Sequence, residues 1–148
     1  MNRRIAGIDY GTVRIGIAIA DATLGIASPH APWIRRGDRA DAAFFYQLTE
    51  DESIDCYVVG LPIHLDGRES QKSIEARTFG SWLKETTGVD VLFFDERFTS
   101  VAADEYLAET GLSKKKRNAR RDQIAAQILL TAFLESGGHG QDRPGAID

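Results

Sequence analysis

The chain has 148 residues, 43% of them hydrophobic and 27% charged, which suits one domain with a full core and excludes a disordered chain. Its single cysteine, Cys56, excludes an internal disulfide and a cysteine-based zinc site, and its place in an apolar run predicts a small buried residue. The net charge of −4 argues mildly against a nucleic-acid partner, and no stretch approaches the roughly 20 apolar residues of a membrane span. We therefore expect a soluble, cytoplasmic protein with no membrane partner.

The first part of the chain is predicted to form three strands and a helix. Short apolar runs predict strands over residues 4–9, 15–20 and 31–34. The first two follow each other so closely that a hairpin is the natural connection. Asp38 is then predicted to cap the N-terminus of a helix over residues 39–50.

The rest of the chain alternates between strands and helices. A continuous apolar run predicts a fully buried strand over residues 56–61. Helical spacing follows up to Gly88, which is expected to end that helix. The further predicted elements are a helix over 70–86, a strand over 89–94, a helix over 100–109 stopped by Gly111, and a last helix over 121–135.

This order, β-β-β-α-β-α-β-α-α, predicts the α/β class. We expect a mixed five-stranded sheet, formed by a three-strand antiparallel meander and two parallel strands and flanked by helices. One domain would span residues 1–136. Residues 137–148 are polar and rich in glycine, so we predict a flexible C-terminal tail.

Three carboxylates fall at informative places. Asp9 ends the first strand, and Glu96 follows the strand over 89–94; both strands are predicted to be interior by their apolar content. Ligands of α/β sheets bind beyond the carboxyl ends of the strands. Asp122 shares a face of the last helix with residues that would pack on the sheet, namely Ala125, Ala126, Leu129 and Phe133.

Three converging acids repel each other unless cations neutralise them. Hard oxygen ligands favour Mg²⁺ or Mn²⁺, and two such ions would catalyse phosphodiester hydrolysis. Each acid also has an ordinary alternative. Asp9 would begin a turn, Glu96 would pair with Arg97, and Asp122 would be a first-turn acid favoured by the helix dipole.

A concentrated basic segment precedes Asp122. Without its six positive charges the remaining chain would carry a net charge of −10. It is predicted to be a loop that contacts the phosphate backbone of a nucleic acid, and the alternative is a solvated stretch. Its cationic residues are Lys114, Lys115, Lys116, Arg117, Arg120 and Arg121.

Four segments in order resemble the YqgF family, also called RuvX, which contains RuvC-like members of the ribonuclease H-like superfamily. They are GIDYGTVRIG at residues 7–16, VVGLP at 58–62, DERFTS at 95–100 and RDQIAAQIL at 121–129. The resemblance covers residues 4–134. It implies a ribonuclease H-like fold and catalytic, metal-binding roles for Asp9, Glu96 and Asp122. RuvC carries a further acid where this chain has Ala125.

The resemblance also implies a function in maturation of the 16S ribosomal RNA precursor, with the small-subunit precursor as a partner. Arg14 would contact a phosphate or neutralise Asp9. The alternatives are a Holliday junction resolvase, a non-catalytic ribosome-assembly factor, and an actin-like ATPase or sugar kinase, which would need two such domains. Resolution by two cuts requires a dimer, and no long apolar face demands one. RNA is therefore preferred, with a monomer or a weak homodimer.

Overall fold

The computed structural model describes residues 3–99 and 113–137, with the backbone alone for residues 98 and 114–123. No helix in these two stretches is long and apolar enough to cross a membrane. The described elements are β1 (Arg4–Asp9), β2 (Arg14–Asp21), β3 (Ile26–Ile34), α1 (Asp38–Asp51), β4 (Cys56–Leu61), α2 (Gln71–Thr87), β5 (Asp90–Asp95), a 3-10 helix (Glu96–Phe98) and α3 (Lys114–Glu135).

The five strands form one mixed sheet in the order β3-β2-β1-β4-β5. β1 and β2 are antiparallel, as are β2 and β3, whereas β1, β4 and β5 run parallel to one another. This confirms the predicted meander and pair of parallel strands. β1 is the central strand, so Asp9 at its carboxyl end has a neighbouring strand on each side.

Helices cover both faces of the sheet, and alternating residues of each strand supply the two cores. On one face, α1 and α2 pack through aromatic residues such as Phe45 and Phe79. On the other face, α3 packs through Leu129, Leu130 and Phe133. The sheet is thereby buried on both sides, and all six residues of β4 are buried, as predicted.

The predicted interior position of β5 is wrong, because β5 lies at the edge of the sheet beside β4. The sequence of β5 is apolar because helices cover both of its faces, not because it has a strand on each side. Phe93 packs in the core under α1 and α2, and the Phe94 ring meets that of Phe133 of α3 at 5.9 Å. β3, at the opposite edge, extends well beyond the predicted residues 31–34, and its prolines, Pro29 and Pro32, are tolerated there because it is an edge strand.

The two helices on the aromatic face begin differently. α2 begins one residue after the predicted start, with Ser70 Oγ accepting a hydrogen bond from the Ser73 amide at 3.1 Å, and ends as expected at Gly88, which has a φ of 75°. For α1 the prediction that Asp38 caps the helix is wrong. Gly37 occupies the cap position, and the carboxylate that accepts the preceding Arg36 amide is that of Asp41, at 3.0 Å.

α3 begins at Lys114, so the basic segment is helical and the predicted loop before residue 121 is wrong. Lysine, arginine and alanine are good helix formers, and Ser113 is of a type favoured immediately before a helix. The predicted helix over residues 100–109, its stop at Gly111, and the tail after Gly137 lie outside the described residues. The division into a domain over residues 1–136 and a tail stays a prediction.

Candidate active site

The carboxyl ends of the three parallel strands bring Asp9 and Glu96 to one edge of the sheet. Register pairs Ile8 with Val59 and Leu61 with Asp95, so the ends of β1 and β5 are level across β4. Asp9 and Glu96 are both half-buried, and both line one cleft of about 350 Å³. The predicted approach of these two acids is therefore present in the structure.

Gly60 of β4 forms the floor between the two acids. A β-carbon at this position would overlap the Glu96 carboxylate and lie 2.9 Å from its Cγ. Only a residue without a side chain leaves room for Glu96 to lie across β4. The glycine within the VVGLP segment thus has a specific function, which is to let the carboxylate of the edge strand reach the side of the central one.

The neighbouring acid, Asp95, forms an ion pair with Arg97. Asp95 is buried and accepts hydrogen bonds from Arg97 Nε at 2.8 Å and from the Arg97 amide at 2.9 Å. The hydrogen bond with Asp95 raises the pKa of Arg97 above its ordinary value. The alternative in which Glu96 pairs with Arg97 is therefore wrong: the arginine binds the adjacent carboxylate, and Glu96 lies at the cleft.

The position of Asp122 follows from how α3 packs on β1. A β-carbon at Gly7 would lie 2.9 Å from Leu130 Cβ, and one at Gly16, the partner of Asp9 across the hairpin, would lie 3.6 Å from Ala126 Cβ. The helix therefore runs antiparallel to β1, with Ala126 level with Asp9. Position 122 comes one turn, about 5.4 Å, further toward the carboxyl edge of the sheet. The convergence of Asp122 with the other two acids stays a prediction.

The donor set of the cleft fits a hard divalent cation. The acids that line it, Asp9, Glu96 and Glu75, supply oxygen, and Thr12 adds a hydroxyl, whereas none of the described residues in its wall is a histidine or cysteine. Among the described side chains no three acids, histidines or cysteines lie close enough together to bind a metal. The predicted trio would need Asp122 as its third member.

Two charged residues of this cleft, Lys72 and Glu75, were not predicted from the sequence. Both lie in the first two turns of α2, which begins after the loop that follows β4. The usable signal was their spacing: positions 72, 75 and 76 share one helix face directly after a strand that ends at the site. Lys72 places a cation beside the two carboxylates.

Arg14 and Asp9 line a second cleft, of about 360 Å³, on the other side of Asp9. Arg14 begins β2 and is exposed. The turn that joins the two residues is tight, because a β-carbon at Gly11 would overlap the Arg14 carbonyl. Arg14 thus lies next to the site, and both of its suggested roles stay predictions.

The structure puts the remaining candidates around this edge. The backbone of the six basic residues forms the first two turns of α3, directly before Asp122, and their contact with phosphate stays a prediction. His64, to which we assign no role, is exposed in the loop after β4, where its amide donates to the Arg68 carbonyl at 2.9 Å.

Comparison with solved structures identifies the fold. RuvC of Thermus thermophilus in complex with a Holliday junction substrate aligns with a TM-score of 0.51 at 12% identity, over 96% of this chain and 99% of that one. A second Thermus thermophilus RuvC structure aligns with a TM-score of 0.51 at 14% identity, over 95% and 99% of the two chains. The chain has the ribonuclease H-like fold that the resemblance implied.

Comparison with known sequences identifies the family. A protein of Rhodopirellula baltica named "Putative pre-16S rRNA nuclease" is 50% identical over 90% of this chain and 77% of its own length. A protein of Koribacter versatilis with the same name is 40% identical over 95% and 92%. The RuvX family profile, described as Holliday junction resolvase, matches residues 3–136. The chain therefore belongs to the RuvX family.

Proposed function

We propose that this protein is a divalent-metal-dependent nuclease that hydrolyses phosphodiester bonds in maturation of the 16S ribosomal RNA precursor. The observation that carries the proposal is the pair of carboxylates, Asp9 and Glu96, that line one cleft across Gly60. Its relatives are named for that RNA. The small-subunit precursor would be its partner in the cytoplasm.

The acidic and the basic residues of the cleft would have different functions. Asp9 and Glu96 would hold Mg²⁺ or Mn²⁺, with Asp122 as the third ligand. Two such ions supply activation of a water nucleophile and stabilisation of the leaving oxygen. Lys72 on one side and Arg14 on the other are the cations that would hold the phosphate against the acidic edge.

A Holliday junction resolvase is the second candidate, because the matching family profile carries that description. The discriminating experiment compares labelled fragments of the 16S precursor with synthetic four-way junctions, each in Mg²⁺, Mn²⁺ or EDTA. We expect the RNA to be cut and EDTA to abolish cutting. Preferred cleavage of junctions would reverse the substrate assignment, and full activity in EDTA would exclude the metal mechanism.

A non-catalytic assembly factor would give a third result in the same assay. It would bind the RNA fragments without cutting them in either metal, and alanine at Asp9, Glu96 and Asp122 would leave that binding unchanged. ATP hydrolysis in preference to cleavage would instead indicate the actin-like alternative.

A further inference from the structure

A third pocket adjoins the candidate active site and shares a wall with it. It has a volume of about 380 Å³, and Tyr10 and Glu75 line both the pocket and the acidic cleft. We call it the aromatic pocket and define it by six residues: Tyr10, Arg35, Gln71, Thr78, Phe79 and Trp82. Nothing in the proposed metal chemistry uses it.

Three rings form one side of the aromatic pocket. The Tyr10 and Phe79 rings lie 4.9 Å apart with planes 36° apart, and the Phe79 and Trp82 rings lie 5.4 Å apart with planes 33° apart. At these distances the three rings pack against one another, and Phe79 itself is buried. Trp82 is half-buried, so part of its indole remains open to a ligand. An open aromatic ring of this kind stacks the bases of single-stranded nucleic acids.

Arg35 places a positive charge beside these rings, and hydrogen bonds fix its side chain. Its Nε donates to Asp41 Oδ2 at 3.1 Å, and its Nη1 donates to the Tyr10 hydroxyl at 2.8 Å. The guanidinium carbon lies 5.3 Å from the centre of the Tyr10 ring. Asp41, only 1% exposed, anchors the arginine from below. A guanidinium fixed in this way is ready to donate to a polar edge without losing further side-chain freedom.

We propose that the aromatic pocket binds an unpaired base of the nucleotide next to the scissile phosphate. The inference rests on the proposed nuclease function. Because Tyr10 and Glu75 line both, the pocket lies next to the cleft where the phosphate would lie. The open part of the Trp82 indole matches the face of a base, and Arg35, Gln71 and Thr78 match its polar edge. A base within a duplex is stacked and paired, so the substrate would be single-stranded at that nucleotide.

The test uses fluorescein-labelled 12-nucleotide RNA strands, each with a single abasic nucleotide at a different position. Binding is followed by anisotropy in Ca²⁺, a further oxygen-ligated divalent ion, and cleavage is followed separately in Mg²⁺. We expect one abasic position, adjacent to the cut, to weaken wild-type binding about tenfold or more. The DNA strand of the same sequence should show the same loss, because the pocket contacts the base and not the sugar.

Trp82→Ala locates the effect. It should weaken binding of the intact strand about tenfold and should no longer distinguish the intact strand from the abasic one. Trp82→Phe should retain most of the binding and lose the quenching of tryptophan emission that stacking on Trp82 causes. Tyr46→Ala removes an exposed aromatic residue of α1 and should behave as wild type.

The outcomes separate this inference from the proposed function. If the wild type does not cleave in Mg²⁺ but still binds the abasic strand more weakly, the proposed nuclease function is wrong and the base site still stands. Equal affinity for intact and abasic strands, or an abasic loss that survives in Trp82→Ala, would overturn the base site. Failure of wild type to bind the intact strand would also overturn it.

Discussion

The two faces of the sheet are packed in different ways. Under α3 the strands present small residues, and the helix approaches until a β-carbon at Gly7 would lie 3.1 Å from the Ala126 carbonyl oxygen. Under α1 and α2 the strands themselves present large rings, such as Tyr57 and Phe93, and the surface beyond them holds the aromatic pocket. Close packing fixes the height of a helix on the sheet, whereas packing through rings leaves pockets between helix and strand.

This difference suggests a division of functions between the faces. The close-packed face would set the position of a metal ligand, Asp122, to within the tolerance of backbone contact. The aromatic face would bind the substrate beside the metal site.

The largest effect is expected from the acids. Asp122→Asn should lower the cleavage rate about a hundredfold or more, as should Asp9→Asn and Glu96→Gln, because each change removes a ligand charge. Circular dichroism should show an unchanged fold. Glu135→Gln, at the exposed far end of the same helix, is the matched control and should cleave as wild type. If the Asp122→Asn variant is fully active, α3 contributes packing but no metal ligand.

Asp41→Asn should destabilise the aromatic face by about 3 kcal/mol, because Asp41 is buried and bonded to Trp33 and Arg35. Burial alone would raise the pKa of Asp41, but hydrogen bonds from Arg36, Trp33 and Arg35 outweigh it and hold that pKa below its ordinary value. The carboxylate therefore stabilises the fold above the pKa that Asp41 has in the unfolded chain, and the contribution is lost as the pH falls through the lowered pKa of the folded state.

The measurement for Asp41 is the free energy of unfolding of wild type and variant from pH 7 down to pH 3. The gap between the two proteins should be constant at neutral pH and should narrow below about pH 4. Asp51→Asn, an exposed acid at the end of α1, serves as the control with no gap. If the gap for Asp41→Asn widens on acidification, the pKa of Asp41 is not lowered in the folded state.

Alanine substitutions of two glycines, one on each face, compare the two faces directly. Gly7→Ala on β1 meets the rigid backbone of α3, and Gly80→Ala on α2 meets the Phe93 ring, 2.6 Å from the new β-carbon. Each should cost about 1–3 kcal/mol of unfolding free energy. Only Gly7→Ala displaces the helix that bears Asp122, so it should also raise the metal concentration needed for half-maximal cleavage. Equal metal requirements in the two variants would show that helix height does not matter.

The smallest effect is expected from the basic residues of α3. Replacing Lys114, Lys115 and Lys116 together by alanine should weaken binding on all sequences alike, because phosphate contacts carry no base information. The slope of log affinity against log salt should flatten by up to about three units. Single-turnover cleavage at saturating substrate should change little. Lys84→Ala on α2 is the control, and an unchanged slope in the triple variant would leave the segment without a role in binding.

The sequence predicted β1 and β4 to the residue, because each is a continuous apolar run ended by a turn residue or proline. It missed most of β3, where Pro29 and Pro32 hide an edge strand. The start of α3 was also missed, because six cations suggest solvent exposure although they are good helix formers.

The site divides in the same way. Asp9 and Glu96 could be found because they stand at the ends of strands, which a sequence marks clearly. For Lys72 and Glu75 the sequence held a weaker signal, the helix face that they share directly after β4. Arg35 left no such signal, because its position depends on where the end of β3 lies against the sheet. Contacts between distant segments determine that position, and no local pattern records such contacts.

The buried Cys56 has a practical consequence. Burial raises the pKa of its thiol to about 11, and its side chain is wholly enclosed in β4. A thiol with that pKa holds almost no thiolate at neutral pH and reacts slowly with maleimides. The chain has no other cysteine, so a cysteine introduced at an exposed position would be labelled alone. Leu65→Cys, at a position 92% exposed in the loop after β4, would carry a dye next to the cleft without removal of the native thiol.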